Sequence, residues 1–314
     1  MNKKMIKEFQ EGENLSVPLL ISSVLNGVTS NGAPYMSITF SDKSGTIDGK
    51  LWDVKEEQAD KINSGSVLLV NCDVIRYKGN LQVKVHSVSS LSPDQYDIND
   101  FVVSSLIPQQ VMRDNLNQAI NQIQNKVLKA IVTAVMQEFD RDFFLYPAAS
   151  RIHHDFIGGL AEHVIGMLKL GNNVADQYHL INRDLLVSGI IVHDMGKLFE
   201  LSGTIATEYT TEGRLIGHIS IMQAKLSAIA DKLGYGDSEE CMLLRHMILS
   251  HHGAYEYGSP VLPMIVEAEI LSMIDNIDAR MNTLSKAMRD IEQGEFTQRM
   301  FALENRSFYK PVIK

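Results

Sequence analysis

The chain has almost no cysteine: Cys72 and Cys241 stand alone, far apart in sequence. That excludes a disulfide framework and fits a reducing compartment, with the cytoplasm the expected one. Long hydrophobic runs are also missing. Leu185–Val192 is typical of those present, against the ~20 apolar residues that a membrane helix needs. No membrane partner is expected, and the basic start is followed by acidic residues rather than by an apolar stretch of signal length. Glycine (21) and proline (8) are too few among 314 residues for a collagen-like chain. Basic residues are in deficit, 29 against 38 acidic, for a net charge of −9 and a pI near 5.6. Such a chain is a poor non-specific nucleic-acid binder, because phosphate neutralisation supplies most of that affinity. The deficit is uneven: residues 1–95 carry about −1 and the remainder −8. Acid concentrated in the larger part either solvates the surface or supplies metal-ligand carboxylates.

What is present suits folding. Hydrophobic residues make up 45% and charged residues 21%, and the length predicts about two domains. Short runs rich in Val, Ile, Leu and Thr predict strands at Ser16–Leu25, Tyr35–Phe40, Thr46–Trp52, Val67–Arg76 and Leu81–Val88. Gly/Asn/Asp-rich turns separate them, and five strands in that length predict a small closed barrel. The stretch YMSITFSDKSGTIDGKLWD (35–53) resembles the OB-fold nucleic-acid-binding domain. Barrels of that kind bind single strands across strands 2 and 3. Tyr35, Phe40, Trp52 and Tyr77 are candidate stacking platforms, and Lys43, Lys50, Arg76 and Lys78 candidate phosphate contacts. The competing reading puts aromatics such as Phe40 and Trp52 in the barrel core.

Residues 93–108 read as a linker, broken by Ser-Pro, Asn-Asp and Ile-Pro. From Gln109 apolar residues recur every three to four positions through Met136, predicting one long helix or two. The expected organisation is multidomain: an all-β barrel over 1–92, the linker, an all-α domain over 109–295, and a tail over 296–314. The tail's aromatics, Phe296, Phe301, Phe308 and Tyr309, suit docking on its own domain or on a neighbouring subunit.

Histidines carry the chemistry. His163 lies in an amphipathic helix, His193-Asp194 end an apolar helix, and His218 opens another. His251-His252 close a fourth helix, and Asp275 sits mid-helix among Leu271, Ile274 and Ile277. A single histidine on an apolar face is usually a satisfied core or capping residue. A mid-helix acid among apolar neighbours is harder to place, because a buried charge needs a partner or a metal. Imidazoles and carboxylates on separate helices suit Mn, Fe, Co, Ni or Zn. Seven such donors are too many for one ion and about right for two.

The order His163, His193-Asp194, His218, His251-His252, Asp275 resembles the HD-domain metal-dependent phosphohydrolases in their dinuclear form. Behind an OB-fold barrel it resembles the YhaM family of 3′→5′ exoribonucleases. HHDFIGGLAEH (153–163), HDMGK (193–197), EGRLIGHI (212–219) and DNIDARM (275–281) carry the likeness. The resemblance implies that His163, His193 and Asp275 bind a first metal, that His218, His251 and His252 bind a second, and that Asp194 bridges them. It implies two divalent ions, with Mn²⁺ the expected one and Fe, Co, Ni, Zn or Mg acceptable to the same donors. It also implies single-stranded RNA as substrate, with single-stranded DNA the alternative, and a homo-oligomer, a hexamer among the assemblies considered.

Asp194 and Lys197 are the expected catalytic groups, Lys197 offsetting phosphate charge; its other reading is a helix-end cation. His153 and His154 would meet the scissile phosphate or protonate the leaving group, or else act structurally. Arg151 and Arg214 would reach nucleotide phosphates. Asp278 and Arg280 follow Asp275 on its helix, where they would orient a ligand histidine or simply pair along the helix face. Gly203–Gly213 reads as a hairpin flap or a connection. Two other functions are compatible with the residues. One is a phosphodiesterase of small or cyclic nucleotides, against which stands Gly253-Ala254-Tyr255 in place of a Gly-Tyr-Pro after His251-His252. The other is a non-catalytic single-stranded-DNA-binding or replication-associated protein.

Overall fold

A computed structural model describes residues 4–54, 59, 61–149, 156–205 and 207–313. It divides into two compact units. One runs to Ser104 and includes Gly203–Thr207; the other comprises Ser105–Ser202 and the chain from Glu208 onward.

The first unit is built on five strands: β1 (Asn14–Val28), β2 (Pro34–Asp42), β3 (Gly45–Trp52), β4 (Val67–Tyr77) and β5 (Asn80–Ser90). They close into a barrel in the order β1-β2-β3-β5-β4. β1 serves two neighbours, pairing through Asn14–Leu20 with β4 and through Leu20–Val28 with β2. A register shift between Ile21 and Ser23 bends it between them. Parallel pairing of Asp48–Leu51 with Gln82–Val85 closes the ring. Alternation decides which side chains face inward. Met36, Ile38 and Phe40 of β2 and Ile47 and Leu51 of β3 are buried with Leu19, Val70 and Val83. Tyr35, Ser37 and Thr39, with Asp48, Lys50 and Trp52, take the alternate positions and face out. The two aromatics in doubt therefore separate: Phe40 fills the core at 0% exposure, while Trp52 is 44% exposed.

The stretch after β5 is not a free linker at its start. Two short 3-10 turns, Pro93–Gln95 and Ile98–Asp100, bring Phe101 into a buried cluster with Leu20 and Val67. Its apolar residues have a surface to cover, which the breaker dipeptides alone did not reveal.

The second unit is helical: α1 (Gln109–Gln122), α2 (Lys126–Phe143), α3 (Gly159–Gln177), α4 (Arg183–Val192), α5 (Lys197–Glu200), α6 (Thr211–Lys232), α7 (Glu239–Ser250) and α8 (Val266–Arg289). The apolar periodicity after Gln109 resolves into two helices. Asn125 caps the second, its side-chain oxygen accepting from the N–H groups of Val127 (2.9 Å) and Leu128 (3.0 Å). Leu160, Met167, Leu186, Ile191, Met247 and Leu271 are buried in one continuous core. No helix among the described residues is long and apolar enough to cross a membrane.

The tail folds back on itself as a ribbon, with the Thr297 and Lys310 N–H groups donating to the carbonyls of Phe308 and Glu295, each at 2.9 Å. Leu303 is buried at its turn, and Arg280 of α8 grips Glu304 there at 2.7 and 3.0 Å. In the stretch that includes Gly203–Gly213, Leu201 forms an isolated antiparallel bridge with Tyr209, and Thr211–Gly213 already belong to α6.

Candidate metal centre and nucleic-acid face

Burial of the helical core dictates where the centre forms. Every residue of α4 from Leu185 to Val192 is buried, so the two residues that follow are carried inward: His193 is 0% and Asp194 2% exposed. α3 brings His163 alongside, also buried, and α8 brings Asp275. α7 ends at Ser250, and His251 and His252 follow it. His218 comes from an irregularity in α6. Gly217 there adopts φ 76°, ψ 151°, which breaks the helix immediately before His218. A side chain would strain that backbone, and glycine relieves it.

Five imidazoles are each fixed through Nδ1. Each directs Nδ1 outward to an acceptor: His163 to Asp278 Oδ2 (2.7 Å), His193 to the Ile190 carbonyl (2.8 Å), and His218 to Glu200 Oε1 (2.9 Å). His251 uses the Ile248 carbonyl (2.8 Å) and His252 the Tyr257 carbonyl (2.7 Å). In a neutral ring, an Nδ1–H donated outward leaves Nε2 as the lone-pair donor inward, the tautomer that a metal requires.

Three overlapping groups of donor atoms result, each mutually within 4.8 Å: His163, His193 and Asp275; His218, His251 and His252; and His193, Asp194 and His251, which links the other two. Asp194 lies between them. Its Oδ2 is 3.8 Å from His163 Nε2 and 3.4 Å from His193 Nε2. Its Oδ1 is 3.5 Å from His218 Nε2 and 3.6 Å from His251 Nε2. These separations are too long for good hydrogen bonds. Among the described residues, nothing hydrogen-bonds to the buried Nε2 atoms of His193, His218 and His251 or to Asp194 Oδ1. Four buried, unsatisfied donor atoms around one point would be costly unless a cation satisfies them. The residues fit divalent metal.

The charges agree. Burial alone would raise the Asp194 carboxyl; the Lys197 ammonium and His193 outweigh it and hold it well below the usual range. Asp275 is likewise driven down, against its burial, by the hydrogen bond and charge of His163. Burial opposes protonation of His163, but Asp275, Asp278 and Asp194 overcome it and raise the imidazole to about 9. The centre thus attracts positive charge. Burial pushes His251 down, and burial with the neighbouring His251 pushes His252 down to about 4. Both are neutral donors at pH 7.

Lys197 is committed inside the centre. Its Nζ lies 2.5 Å from Asp194 Oδ2, so the lysine offsets the Asp194 charge. Gly196 just before it lies against His218: an added Cβ would fall 2.0 Å from the His218 carbonyl oxygen. Asp278 is held on His163, as above. Arg280, by contrast, turns to Glu304 of the tail and not to a candidate ligand histidine. Arg214 is exposed on the first turn of α6. Arg151, His153 and His154 lie outside the described residues.

Sequence reasoning missed Glu200. Its Oε1 accepts from the His218 backbone N–H (3.0 Å) and from Nδ1. Burial raises its carboxyl, and the contacts with His218 outweigh that and lower it. The available signal was an acid among Leu198, Phe199 and Leu201, the same signal that singled out Asp275.

On the barrel, Tyr35 and Trp52 are cross-strand partners with ring centroids 5.0 Å apart and planes at 34°. Lys50 Nζ lies over both, 4.7 Å from the tyrosine and 5.6 Å from the tryptophan centroid. This is an exposed π surface bearing a cation. Tyr77 and Lys78 form a smaller exposed pair at the β4–β5 turn, Nζ 5.5 Å from the ring. Lys43 is half-exposed, with Nζ 3.6 Å from Asp100 Oδ1. Arg76 is exposed, pairs with Glu11 (3.0 Å) and donates to the Gly79 carbonyl (2.9 Å).

The HD domain family model matches residues 160–280, a span that holds all seven ligand candidates. The model of the OB-fold nucleic acid binding domain matches residues 20–91. Among curated relatives, the 3'-5' exoribonuclease YhaM of Bacillus pumilus is 43% identical over 99% of both chains. Its namesake in Listeria innocua is 44% identical over 99% of this chain and 100% of the relative. The Bacillus subtilis protein of the same name is 44% identical over 99% of both. With barrel, helical unit and ligand order all spanned at that identity, the chain belongs to the YhaM family of 3'-5' exoribonucleases.

Proposed function

We propose that the chain is a metal-dependent 3′→5′ exoribonuclease that releases nucleoside 5′-monophosphates from single-stranded 3′ ends. The observation that carries this reading is the convergence of five Nε2 atoms and both oxygens of Asp194, four of these atoms buried without a hydrogen-bond partner among the described residues. Seven donors divide as two sets of three with Asp194 shared, which suits two divalent ions, Mn²⁺ preferred. Bound there, such ions lower the pKa of a water and stabilise charge on the phosphodiester.

The chain's own residues do the rest. Asp278, Glu200 and three backbone carbonyls lock the imidazoles, so the donors need no reorganisation when a cation arrives. Lys197 compensates Asp194. Hydrolysis breaks the bond between phosphorus and the 3′ oxygen of the preceding nucleotide; water supplies the new P–O bond, and the 3′ oxygen leaves with a proton. His154, with His153, is our candidate for that proton, and Arg151 and Arg214 for phosphate contacts. Tyr35, Trp52 and Lys50 would hold the strand by stacking and charge, with Tyr77, Lys78 and Lys43 extending the face. That design tolerates sequence variation and suits a chain with little net basic charge. The cytoplasm and a homo-oligomer built through the aromatic tail complete the reading.

The test is a time course on 5′-labelled single-stranded RNA. With Mn²⁺ the label should appear in a ladder shortening from the 3′ end, with monophosphates released. Chelator should stop it, and added Mn²⁺ should restore it. Intact RNA in the presence of metal-loaded protein would refute the reading and move weight to small nucleotides or to a binding role.

A second expectation concerns the barrel. Base–aromatic stacking contributes roughly 1–3 kcal/mol per base. Replacing Tyr35 and Trp52 by Ala should therefore raise KM for a long single strand by about one to two orders of magnitude, more than it lowers kcat. Steady-state kinetics on a 20-mer decide this, and an unchanged KM would remove the platform from the substrate path.

A further inference from the structure

The five imidazoles are not supported alike. His193, His251 and His252 lean on backbone carbonyls three to five residues away, positions that local structure supplies without help from a side chain. His163 and His218 alone lean on carboxylates, Asp278 and Glu200. There is one in each donor group. The difference lies in what else holds them. His163 stands inside the second turn of an unbroken helix, α3. His218 stands just past Gly217, where the backbone leaves helical geometry and the helical hydrogen-bond ladder restarts. A restarting helix has an N–H without an intrahelical acceptor. Glu200 Oε1 takes that N–H at 3.0 Å and the ring Nδ1–H at 2.9 Å. One oxygen thus fixes both the backbone and the ring of the same ligand. Glu200 is itself anchored: its carbonyl accepts from the Thr210 N–H (2.9 Å), while Thr210 Oγ1 donates to the Phe199 carbonyl (2.8 Å).

We propose that Glu200 is the positioning residue that builds the second metal position, formed by His218, His251 and His252, and that it has no part in the first. Asp278 has the corresponding role at His163. The two positions are therefore separable by mutation, each through its own carboxylate. This rests on the two-ion reading above.

The experiment is a Mn²⁺ titration of metal-stripped full-length protein, read as bound ions per chain by equilibrium dialysis with elemental analysis, in four forms. Wild type should bind two ions. Glu200→Leu, which puts an apolar side chain of similar size in this buried place, should weaken one of the two by roughly 10–100-fold and leave the other at its wild-type affinity. Glu200→Gln keeps an accepting oxygen without the charge, so the same ion should weaken by less. Asp278→Asn should weaken the ion that Glu200→Leu spares, and a double Glu200→Leu, Asp278→Asn variant should weaken both. Thermal unfolding in chelator reports whether each variant folds. Should the Leu variant fail to fold, the Gln variant decides. A merely structural role for Glu200 would weaken both ions together, and that result would overturn the assignment. Two ions at wild-type affinity in folded Glu200→Leu, or in Glu200→Gln if the Leu variant does not fold, would overturn it as well. A single ion in wild type would refute the two-ion reading itself, and the assignment with it, in a form distinguishable from either.

Discussion

Asp194→Asn should reduce turnover of single-stranded RNA by roughly 10³-fold or more, equivalent to about 4 kcal/mol of transition-state stabilisation. The reason is geometric. One carboxylate faces two donor sets, Oδ2 toward His163 and His193, Oδ1 toward His218 and His251. An amide keeps the shape but offers only one oxygen. Its NH₂ group must face one of the two sets of Nε2 lone pairs, or turn toward the Lys197 ammonium. Either orientation removes the shared ligand. RNA affinity should survive, because the stacking face lies on other residues. Initial rates and filter binding on the same oligonucleotide check both halves. Activity within tenfold of wild type would mean that Asp194 does not bridge.

Gly196→Ala should also be damaging, although residue 196 is not among the candidate ligands. The new Cβ would lie 2.0 Å from the His218 carbonyl oxygen, 2.7 Å from its carbonyl carbon and 2.9 Å from its Cα. All three are backbone atoms, so no rotamer change relieves the clash. The segment bearing His218 must move away from His251 and His252. A displacement of about 1 Å at a positioned group can cost roughly 10²-fold in rate. We expect that loss in kcat, together with the loss of one of two bound ions and a protein that remains folded. Normal kcat with two ions bound would show that the α5–α6 approach is looser than the structure has it.

Much of this was legible in one chain because its signals are local. Alternation of Met36, Ile38 and Phe40 against Tyr35, Ser37 and Thr39 is a period-2 pattern, and each strand formed within a few residues of its expected place. The cluster of candidate ligands was legible for a related reason. His193-Asp194 follow eight residues that cannot remain in water, and Asp275 interrupts an apolar helix face, so burial of charge was visible before any contact was. What escaped depends on distant partners. Arg280 looked like a neighbour of Asp275, but its partner is Glu304, which only a folded tail brings near. Arg76 looked free, while Glu11 of the N-terminal segment pairs with it. The break between α1 and α2 hinges on the capping of Asn125 within a continuous apolar period. Glu200 was missed because its partner lies eighteen residues away, past a kink that Gly217 permits and sequence periodicity does not mark.

The most direct test of the account is anomalous diffraction at the manganese edge from crystals of the full-length protein grown with Mn²⁺. The account predicts two anomalous peaks. One should be bounded by His163, His193 and Asp275, the other by His218, His251 and His252, with Asp194 bound to both. A single peak, or two peaks of which only one touches Asp194, would contradict it.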